Sequence, residues 1–263
     1  MQRVSSPRPG RWSVLDRGAR GRGNRLDSAL VTSGLVQSRH SAQAYIMAGK
    51  VFVDGKPAIK AGMRVAPDAR VEIRGELSPY VSRGGAKLER ALDYWNIKTA
   101  GRIFLDVGAS TGGFTDCLLQ RGAARVYALD VGYGQLAWKL RCDERVVMIE
   151  RTNIRYLDPT RLEVEPDAAV IDVSFISLKK VIPAVVHVLK RDAEIIALIK
   201  PQFELGRTEV GSGGIVRDTG KHERAINEMS AFAAGAGLTV QGVVESPLAG
   251  PKKNREYFIY LTK

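Results

Sequence analysis

The sequence contains only two cysteines, Cys117 and Cys142, and no Cys-x-x-Cys spacing. This scarcity excludes a disulfide framework and a zinc site built on paired cysteines. Long hydrophobic runs are also missing: residues 181–189 form the most apolar stretch, include His187, and fall far short of the about 20 residues that cross a bilayer. No apolar segment follows the first arginine, as a secretory signal would require. We therefore expect a soluble protein of a reducing, cytoplasmic compartment.

Acidic residues are few relative to basic ones, with 28 Asp+Glu against 40 Lys+Arg and a net charge of +12. The excess is concentrated in residues 1–75, which hold 14 Lys+Arg and five Asp+Glu. A basic module of this kind attracts a polyanion, most often nucleic acid and sometimes an anionic membrane. A solvated basic surface without a partner is the alternative. The apolar share of 44% is that of an ordinary globular protein, which excludes a wholly disordered chain.

Composition divides the chain into three parts. Residues 1–24 are rich in Arg, Gly, Ser and Pro and poor in apolar residues, which predicts a disordered basic tail. A transit peptide and a vector-derived extension are the alternatives for this tail. Residues 25–77 carry two short amphipathic patterns, with Ser38 as a helix cap, and a strand that turns at Asp54-Gly55. This pattern predicts a small α+β domain, whose core is marginal by itself.

Strands and helices alternate over residues 78–263, after a linker at 75–79. The strands are predicted at 103–107, 126–131, 146–149, 168–173, 194–199, 239–245 and 256–261. The helices are predicted at 82–95, from the turn after the first strand through residue 120, and at 134–141, 178–189 and 221–234. A long loop is predicted at 201–220. Such alternation is typical of an α/β fold with a mainly parallel, Rossmann-like sheet covered on both faces. The last two strands have no helix between them, so we expect an antiparallel hairpin at one edge.

A glycine-rich stretch, Asp106-Val-Gly-Ala-Ser-Thr-Gly-Gly-Phe114, follows the first strand of this sheet. Ligands bind at the carboxyl ends of strands in such sheets, and Asp130 ends the next strand, where a carboxylate commonly holds a ribose. The spacing is not Gly-x-Gly-x-x-Gly, and no Gly-Lys-Ser/Thr occurs. A nucleoside without a pyrophosphate, such as S-adenosylmethionine, fits this pattern better than a dinucleotide. A plain tight turn is the alternative.

Four charged residues are predicted to meet at the same rim. Asp172 and Lys200 end two neighbouring strands, Glu256 begins the reversed last strand, and Lys87 lies on the helix before the first strand. In a desolvated cleft, alternating charges hold a lysine in a fixed position, which helps to activate a poorly acidic hydroxyl. Each residue taken alone is more commonly a surface charge.

The body of the chain resembles the FtsJ-like ribose 2′-O-methyltransferases. The resemblance is carried by Ser82-Arg-Gly-Gly-Ala-Lys87-Leu, the turn from Asp106 to Asp116, Ile171-Asp172-Val-Ser-Phe-Ile-Ser177, Leu198-Ile-Lys200-Pro-Gln-Phe-Glu204 and Lys253-Asn-Arg-Glu256-Tyr-Phe. Residues 25–77 resemble the alpha-L RNA-binding domain through Arg25-Leu-Asp, Ser38-Arg39 and Gly49-Lys50-Val-Phe-Val-Asp-Gly55-Lys56. The two modules in this order resemble the TlyA family of rRNA cytidine 2′-O-methyltransferases, also called haemolysins.

The resemblance implies a fold, a reaction and roles for named residues. The fold would be the seven-stranded methyltransferase sheet with an antiparallel last strand. The catalytic tetrad would be Lys87, Asp172, Lys200 and Glu256. The S-adenosylmethionine contacts would be Asp106, Gly108, Ala109, Ser110, Gly112, Gly113, Phe114, Asp130 on the ribose and Asn153 near adenine. Arg25, Arg39, Lys50 and Lys56 would contact RNA, the partner would be ribosomal RNA or a ribosomal subunit, and no metal is expected.

Three other functions were weighed against a methyltransferase. A haemolysin or membrane-active protein is disfavoured by the absence of a spanning run and of a Lys-rich amphipathic helix. A non-catalytic ribosome-binding factor is disfavoured by the intact tetrad. A nucleotide-dependent dehydrogenase is disfavoured by the glycine spacing.

Overall fold

The computed structural model describes residues 11–14, 23–75, 79–248 and 254–263. The chain divides into two compact units, Met1–Leu77 and Ser78–Lys263. We call them the N-terminal unit and the catalytic-fold unit, and describe each by itself.

The N-terminal unit packs two helices against a small sheet. Its elements are β1 (Arg11–Val14), β2 (Asn24–Arg25), α1 (Leu26–Thr32), α2 (Arg39–Met47), β3 (Val51–Val53), β4 (Lys56–Pro57), β5 (Arg64–Val65) and β6 (Arg70–Ile73). The sheet has the order β1-β6-β3-β4, and β2 pairs with β5. Ser38 caps α2 by accepting the Ser41 N–H, as predicted. Asp54 and Gly55 form the tight turn after β3, with φ angles of 48° and 77°.

The predicted disorder of residues 1–24 is wrong for Arg11–Val14. This segment forms β1, an antiparallel partner of β6 in which Arg11 lies opposite Ile73. Backbone pairing with a strand some 60 residues away along the chain supplies hydrogen bonds that composition alone does not reveal. Most of the remaining predicted tail, residues 1–10 and 15–22, lies outside the described residues.

The catalytic-fold unit is a seven-stranded sheet with helices on both faces. Its strands are β7 (Ile103–Val107), β8 (Arg125–Leu129), β9 (Val146–Ile149), β10 (Ala168–Ile171), β11 (Glu194–Ile199), β12 (Thr239–Glu245) and β13 (Tyr257–Thr262). Its helices are α3 (Arg83–Tyr94), α4 (Gly113–Gln120), α5 (Trp138–Arg141), α6 (Ile182–Val188), α7 (Pro201–Glu204) and α8 (Thr219–Gly235). Short 3-10 turns occur at Ile154–Tyr156, Pro159–Arg161, Leu178–Lys180, Arg207–Glu209 and Ser212–Gly214.

The strand order is β12-β13-β11-β10-β7-β8-β9, and β13 runs antiparallel to both of its neighbours. The expected α/β class, the seven strands and the antiparallel hairpin at one edge are therefore confirmed. Alternate side chains of the strands point to opposite faces of the sheet and form two hydrophobic cores, one under α3 and α4 and one under α6 and α8. Burial on both faces explains the nearly continuous apolar runs in these strands.

Two predicted helices are shorter in the structure. The pattern at 134–141 forms only α5, because Gly134 adopts a φ of 69° and donates its N–H to Glu150. The pattern at 178–189 splits into the 3-10 turn Leu178–Lys180 and α6, which has proline in its first turn. Proline lacks the N–H that would continue a helix from residue 178.

Candidate active site

The carboxyl ends of β7, β10 and β11 meet at one edge of the sheet. They deliver the glycine-rich turn, Asp172 and Lys200, the residues that directly follow these strands. Because β13 runs in the opposite direction, its first residues reach the same edge and bring Glu256 there. Lys87 arrives from α3. Edges of this kind are where open α/β sheets bind ligands.

A cavity of about 330 Å³ lies at this edge and is lined by all four predicted catalytic side chains. Its full lining is Ser82, Arg83, Gly84, Lys87, Gly108, Ala109, Ser110, Thr111, Gly113, Phe114, Asp172, Lys200 and Glu256. The structure therefore brings together residues that are up to 169 positions apart in sequence. We call it the tetrad cavity.

The four charges form two close ion pairs. Lys87 Nζ donates to Glu256 Oε2 at 2.6 Å, and Lys200 Nζ lies 2.6 Å from Asp172 Oδ1. Glu256 is fully buried, and the two lysines are only 8% and 7% exposed. Buried charges are costly unless they are paired, so each lysine is fixed by its carboxylate. The second oxygen of Glu256, Oε1, is buried and accepts no hydrogen bond from the described residues.

The glycine-rich turn is held from behind by Asp106. Its Oδ2 accepts hydrogen bonds from the backbone N–H of Thr115 at 2.9 Å and from the Thr115 hydroxyl at 2.6 Å. Asp106 has no exposed surface, and this burial raises the pKa of its carboxyl to about 7. Gly108 has a φ of 87°, and a Cβ there would lie 2.5 Å from the carbonyl oxygen of Asp172. Only glycine permits this close approach between the ends of β7 and β10.

Asp130 fixes the other side of the turn. One carboxylate oxygen accepts the Ser110 N–H at 2.8 Å, and the other accepts the Gly132 N–H at 2.7 Å. Ser110 itself adopts a positive φ of 48°. Each carboxylate oxygen can accept a further hydrogen bond, so Asp130 retains acceptor capacity for a ligand hydroxyl.

A second cavity, of about 380 Å³, adjoins the tetrad cavity and shares Gly108, Ser110 and Asp172 with it. Its remaining lining is Val107, Leu129, Asp130, Val131, Gln135, Asn153, Ile154, Val173, Ser174, Phe175, Ile176 and Val181. The whole lining contains no lysine or arginine, and it contains two carboxylates, Asp130 and the shared Asp172. A lining with acidic and without basic side chains suits an uncharged or cationic nucleoside and does not suit a pyrophosphate. We call it the nucleoside cavity.

The residues predicted to contact the cofactor separate into three groups. Gly108, Ala109, Ser110, Gly113 and Phe114 line the tetrad cavity, and Asp130 and Asn153 line the nucleoside cavity. Asp106 and Gly112 line neither: Asp106 supports the turn, and a Cβ on Gly112 would lie 2.3 Å from the Leu140 side chain. Both residues shape the turn in this structure, and their contact with a cofactor stays a prediction.

Sequence reasoning missed two neighbours of the tetrad. The Ser174 hydroxyl accepts a hydrogen bond from Lys200 Nζ at 2.9 Å. Phe175 is 90% exposed, has a positive φ of 65°, and its ring centroid lies 5.1 Å from that of Phe203. The available signal was position, because both residues lie within three positions of Asp172, after a strand end.

The predicted RNA contacts of the N-terminal unit are not equivalent. Arg25 and Arg39 both pair with the buried carboxylate of Asp27, at 2.8 Å and 3.2 Å. Their side chains remain about half exposed, and these pairings lower the pKa of Asp27 strongly. Lys56 is exposed on β4, and Lys50 is half-buried before β3.

The sheet order, the reversed last strand and the lysine–carboxylate pairs beside a nucleoside cavity define a methyltransferase fold. The family model described as FtsJ-like methyltransferase matches residues 80–263, and that of the S4 domain matches residues 24–71. The chain belongs to the FtsJ-like methyltransferase family, in the group that carries an N-terminal S4 domain and includes the TlyA proteins.

Three relatives illustrate this membership. The 16S/23S rRNA (cytidine-2′-O)-methyltransferase TlyA of Mycobacterium tuberculosis is 49% identical over 238 residues, which cover 90% of this chain and 89% of that protein. Hemolysin A of Brachyspira hyodysenteriae is 41% identical, covering 90% of this chain and 98% of that protein. A solved structure from Streptococcus thermophilus, described as a candidate hemolysin, superimposes with a TM-score of 0.73 at 43% identity and covers 92% of this chain and 89% of that one.

Proposed function

We propose that the protein transfers a methyl group from S-adenosylmethionine to a ribose 2′-hydroxyl of ribosomal RNA, at a cytidine. The observation that carries the proposal is the meeting of Lys87, Asp172, Lys200 and Glu256 in one cavity, directly beside a nucleoside cavity without basic side chains. The printed activity of the Mycobacterium tuberculosis relative supports the choice of rRNA and cytidine. Ribosomal RNA as substrate places this activity in the cytoplasm.

The lining of the nucleoside cavity fits S-adenosylmethionine, which carries positive charge on its sulfonium and amino groups. Asp130 would accept from the ribose hydroxyls, Asn153 would lie near adenine, and apolar walls such as Val173 would contact the base. When bound, S-adenosylmethionine supplies a methyl group on a sulfonium sulfur: an oxygen nucleophile attacks the methyl carbon in line, and the sulfur leaves as the thioether of S-adenosylhomocysteine. The combined cavities have the size of ordinary small-molecule sites.

The tetrad would prepare the hydroxyl. A ribose 2′-hydroxyl is a weak acid and a poor nucleophile at neutral pH, so it needs a positioned group. Nζ of Lys200, held by Asp172 and Ser174, would steer the hydroxyl oxygen as an ammonium, or would accept its proton in the neutral amine form. Lys87 and Glu256 would complete the network.

The N-terminal unit would capture the RNA. Residues 1–75 carry 14 Lys+Arg against five Asp+Glu, and Arg25, Arg39, Lys50 and Lys56 are our candidate phosphate contacts. Phosphate contacts position a protein without reading sequence, so this unit would raise affinity while the tetrad cavity selects the reacting hydroxyl.

The direct test is incubation of the protein with methyl-labelled S-adenosylmethionine and separated ribosomal subunits, followed by mapping of the labelled nucleotide. We expect label on a ribose 2′-oxygen of a cytidine in the wild type and none with Lys200→Ala. Label on a base, or no label with the wild type, would exclude this function, whereas equal ribose labelling by both proteins would exclude only the role of Lys200. A non-catalytic ribosome-binding factor would bind a subunit and leave no label.

Relatives that bear the name hemolysin raise a second candidate, membrane activity. Among the described residues, no helix is both long and apolar enough to cross a membrane. Dye leakage from anionic liposomes distinguishes the two functions: we expect none at protein concentrations that fully methylate the RNA.

A further inference from the structure

The position of Lys200 depends on two loops. Residues 172–177 follow β10 and supply Asp172 and Ser174. Lys200 is the first residue of the segment that follows β11. Lys200 Nζ lies 2.6 Å from Asp172 Oδ1 and 2.9 Å from Ser174 Oγ. Any shift of one loop against the other changes these two distances directly.

Glu204 joins the same two loops a second time. It ends α7, four residues after Lys200, and its Oε2 accepts a hydrogen bond from the Ser177 hydroxyl at 2.6 Å. Its Oε1 accepts the backbone N–H of Leu178 at 2.9 Å. Leu178 begins a 3-10 turn, where the first N–H groups lack partners within the turn. Two residues of the segment after β11 therefore hold residues 172–178: Lys200 holds the start and Glu204 holds the end.

We call the two hydrogen bonds from Ser177 and Leu178 to Glu204 the clamp; forming it requires a carboxylate to be buried. Glu204 is largely buried, and burial raises the pKa of its carboxyl, while the bonds from Leu178 and Ser177 act in the opposite direction. Lys179 lowers the same pKa and Glu228 raises it. The carboxyl lines neither the tetrad cavity nor the nucleoside cavity, so ligand contact does not account for its burial.

We propose that Glu204 is a positioning residue for methyl transfer, which fixes the loop after β10 so that Asp172 and Ser174 hold Lys200 in its reactive orientation. The proposal rests on the function proposed above. Catalysis is sensitive to such placement, because an error of about 1 Å at reacting groups can cost roughly a hundredfold in rate.

Three variants test the clamp by steady-state methyl transfer to ribosomal subunits. Glu204→Ala removes both hydrogen bonds, and we expect kcat to fall about tenfold or more. Glu204→Gln keeps the shape, an acceptor for Leu178 and a donor for Ser177, so we expect kcat within about threefold of wild type. Ser177→Ala removes one of the two bonds to Glu204, together with the bond from the Lys179 N–H to the Ser177 hydroxyl, and we expect its kcat to lie between these values. The dissociation constant for S-adenosylmethionine is measured beside kcat, because residues 172–176 also line the nucleoside cavity. The glycine-rich turn and Asp130 are untouched, so we expect this constant to change less than kcat.

The matched control is Glu209→Ala. Glu209 lies in the same loop and bonds Gly206 and Arg224, but it makes no bond to residues 172–178 among the described contacts. We expect its kcat to equal that of the wild type. All rates are normalised to the folded fraction from thermal melts, so that a loss of stability alone leaves kcat unchanged.

The outcomes separate cleanly. Wild-type rates in Glu204→Ala overturn the positioning role, as does a Glu204→Gln variant as slow as Glu204→Ala. If Glu204→Ala does not fold, wild-type kcat in Ser177→Ala overturns the proposal. A wild-type protein that transfers no methyl group refutes the proposed function as well, whereas an active wild type with an equally active Glu204→Ala refutes only the role of Glu204.

Discussion

Lys87 Nζ donates a hydrogen bond to Glu256 Oε2 at 2.6 Å, across 169 residues of sequence. The pair connects α3, which precedes the sheet, to the residue before its last strand. Both side chains are largely removed from solvent, so each charge depends on the other for its partner. The relationship therefore couples the stability of the unit to the integrity of its catalytic edge.

We expect either Lys87→Ala or Glu256→Ala to lower the free energy of unfolding by about 3–5 kcal/mol, because each leaves an unpaired buried charge. The double variant is expected to lose much less than the sum of the two. A double-mutant cycle by urea unfolding measures this coupling. Additive losses would show that the two residues do not stabilise each other.

Lys200→Ala is expected to lower the rate of methyl transfer about a hundredfold or more, the usual contribution of a positioned acid–base group. Affinity for S-adenosylmethionine is expected to change little, because Lys200 does not line the nucleoside cavity. The matched control is Lys190→Ala: Lys190 pairs with Asp167 at the same 2.6 Å but lies outside both cavities. A near wild-type rate in Lys200→Ala would refute the tetrad assignment.

Asp130→Ala is expected to weaken binding of S-adenosylmethionine by about 1.5–3 kcal/mol, measured by calorimetry with and without RNA. The loss has two sources, the ribose contact and the two backbone bonds that Asp130 accepts from Ser110 and Gly132. The control is Asp158→Ala, which removes a comparable carboxylate bond to the Thr160 N–H away from the cavities. Unchanged affinity in Asp130→Ala would remove Asp130 from the cofactor site.

Replacement of both Lys50 and Lys56 by Gln is expected to weaken RNA binding across sequences. Each lost phosphate contact lowers the slope of log K against log salt by about 0.7–0.9. Filter binding over a salt series measures both effects, with Lys98→Gln, an exposed lysine of the other unit, as the control. Equal slopes in wild type and double variant would exclude these lysines as RNA contacts.

Asp106→Asn is expected to flatten the pH dependence of stability. The pKa of about 7 in the folded protein exceeds the about 3.9 of an exposed aspartate, so the folded state binds the proton more tightly. The free energy of unfolding therefore falls as pH rises through 7, by roughly 3 kcal/mol between pH 5 and pH 8 from this group. Urea unfolding at both pH values compares the variant, which lacks this titration, with the wild type. An identical fall in both proteins would contradict the assignment.

Much of the fold could be predicted from the sequence because its strands are apolar and the central ones are buried on both faces. The predicted bounds of Ile103–Val107, Val146–Ile149 and Glu194–Ile199 coincide with β7, β9 and β11. The errors arise where non-local contacts decide the local structure. Arg11–Val14 becomes a strand because β6 offers a free edge, and Gly134 leaves the helix because Glu150 accepts its N–H.

The convergence of the tetrad could be predicted from topology, because the ends of parallel strands and the start of an antiparallel strand share one edge. The pairing itself could not. Sequence does not show that Lys200 also bonds Ser174, that Arg25 and Arg39 share Asp27, or that Asp106 bonds Thr115. These are properties of side-chain direction, which spacing along a strand leaves undetermined.

The place of β13 in the sheet has a consequence for how the protein matures. This strand is last in the sequence but lies between β11 and β12 in space, and Glu256 immediately precedes it. While the nascent chain is still emerging, β11 and β12 have no strand between them and Lys87 has no carboxylate partner. The order of synthesis thus delays assembly of the catalytic edge until the final segment is inserted, and an incomplete translation product would lack the reaction centre although most of its sheet were already made.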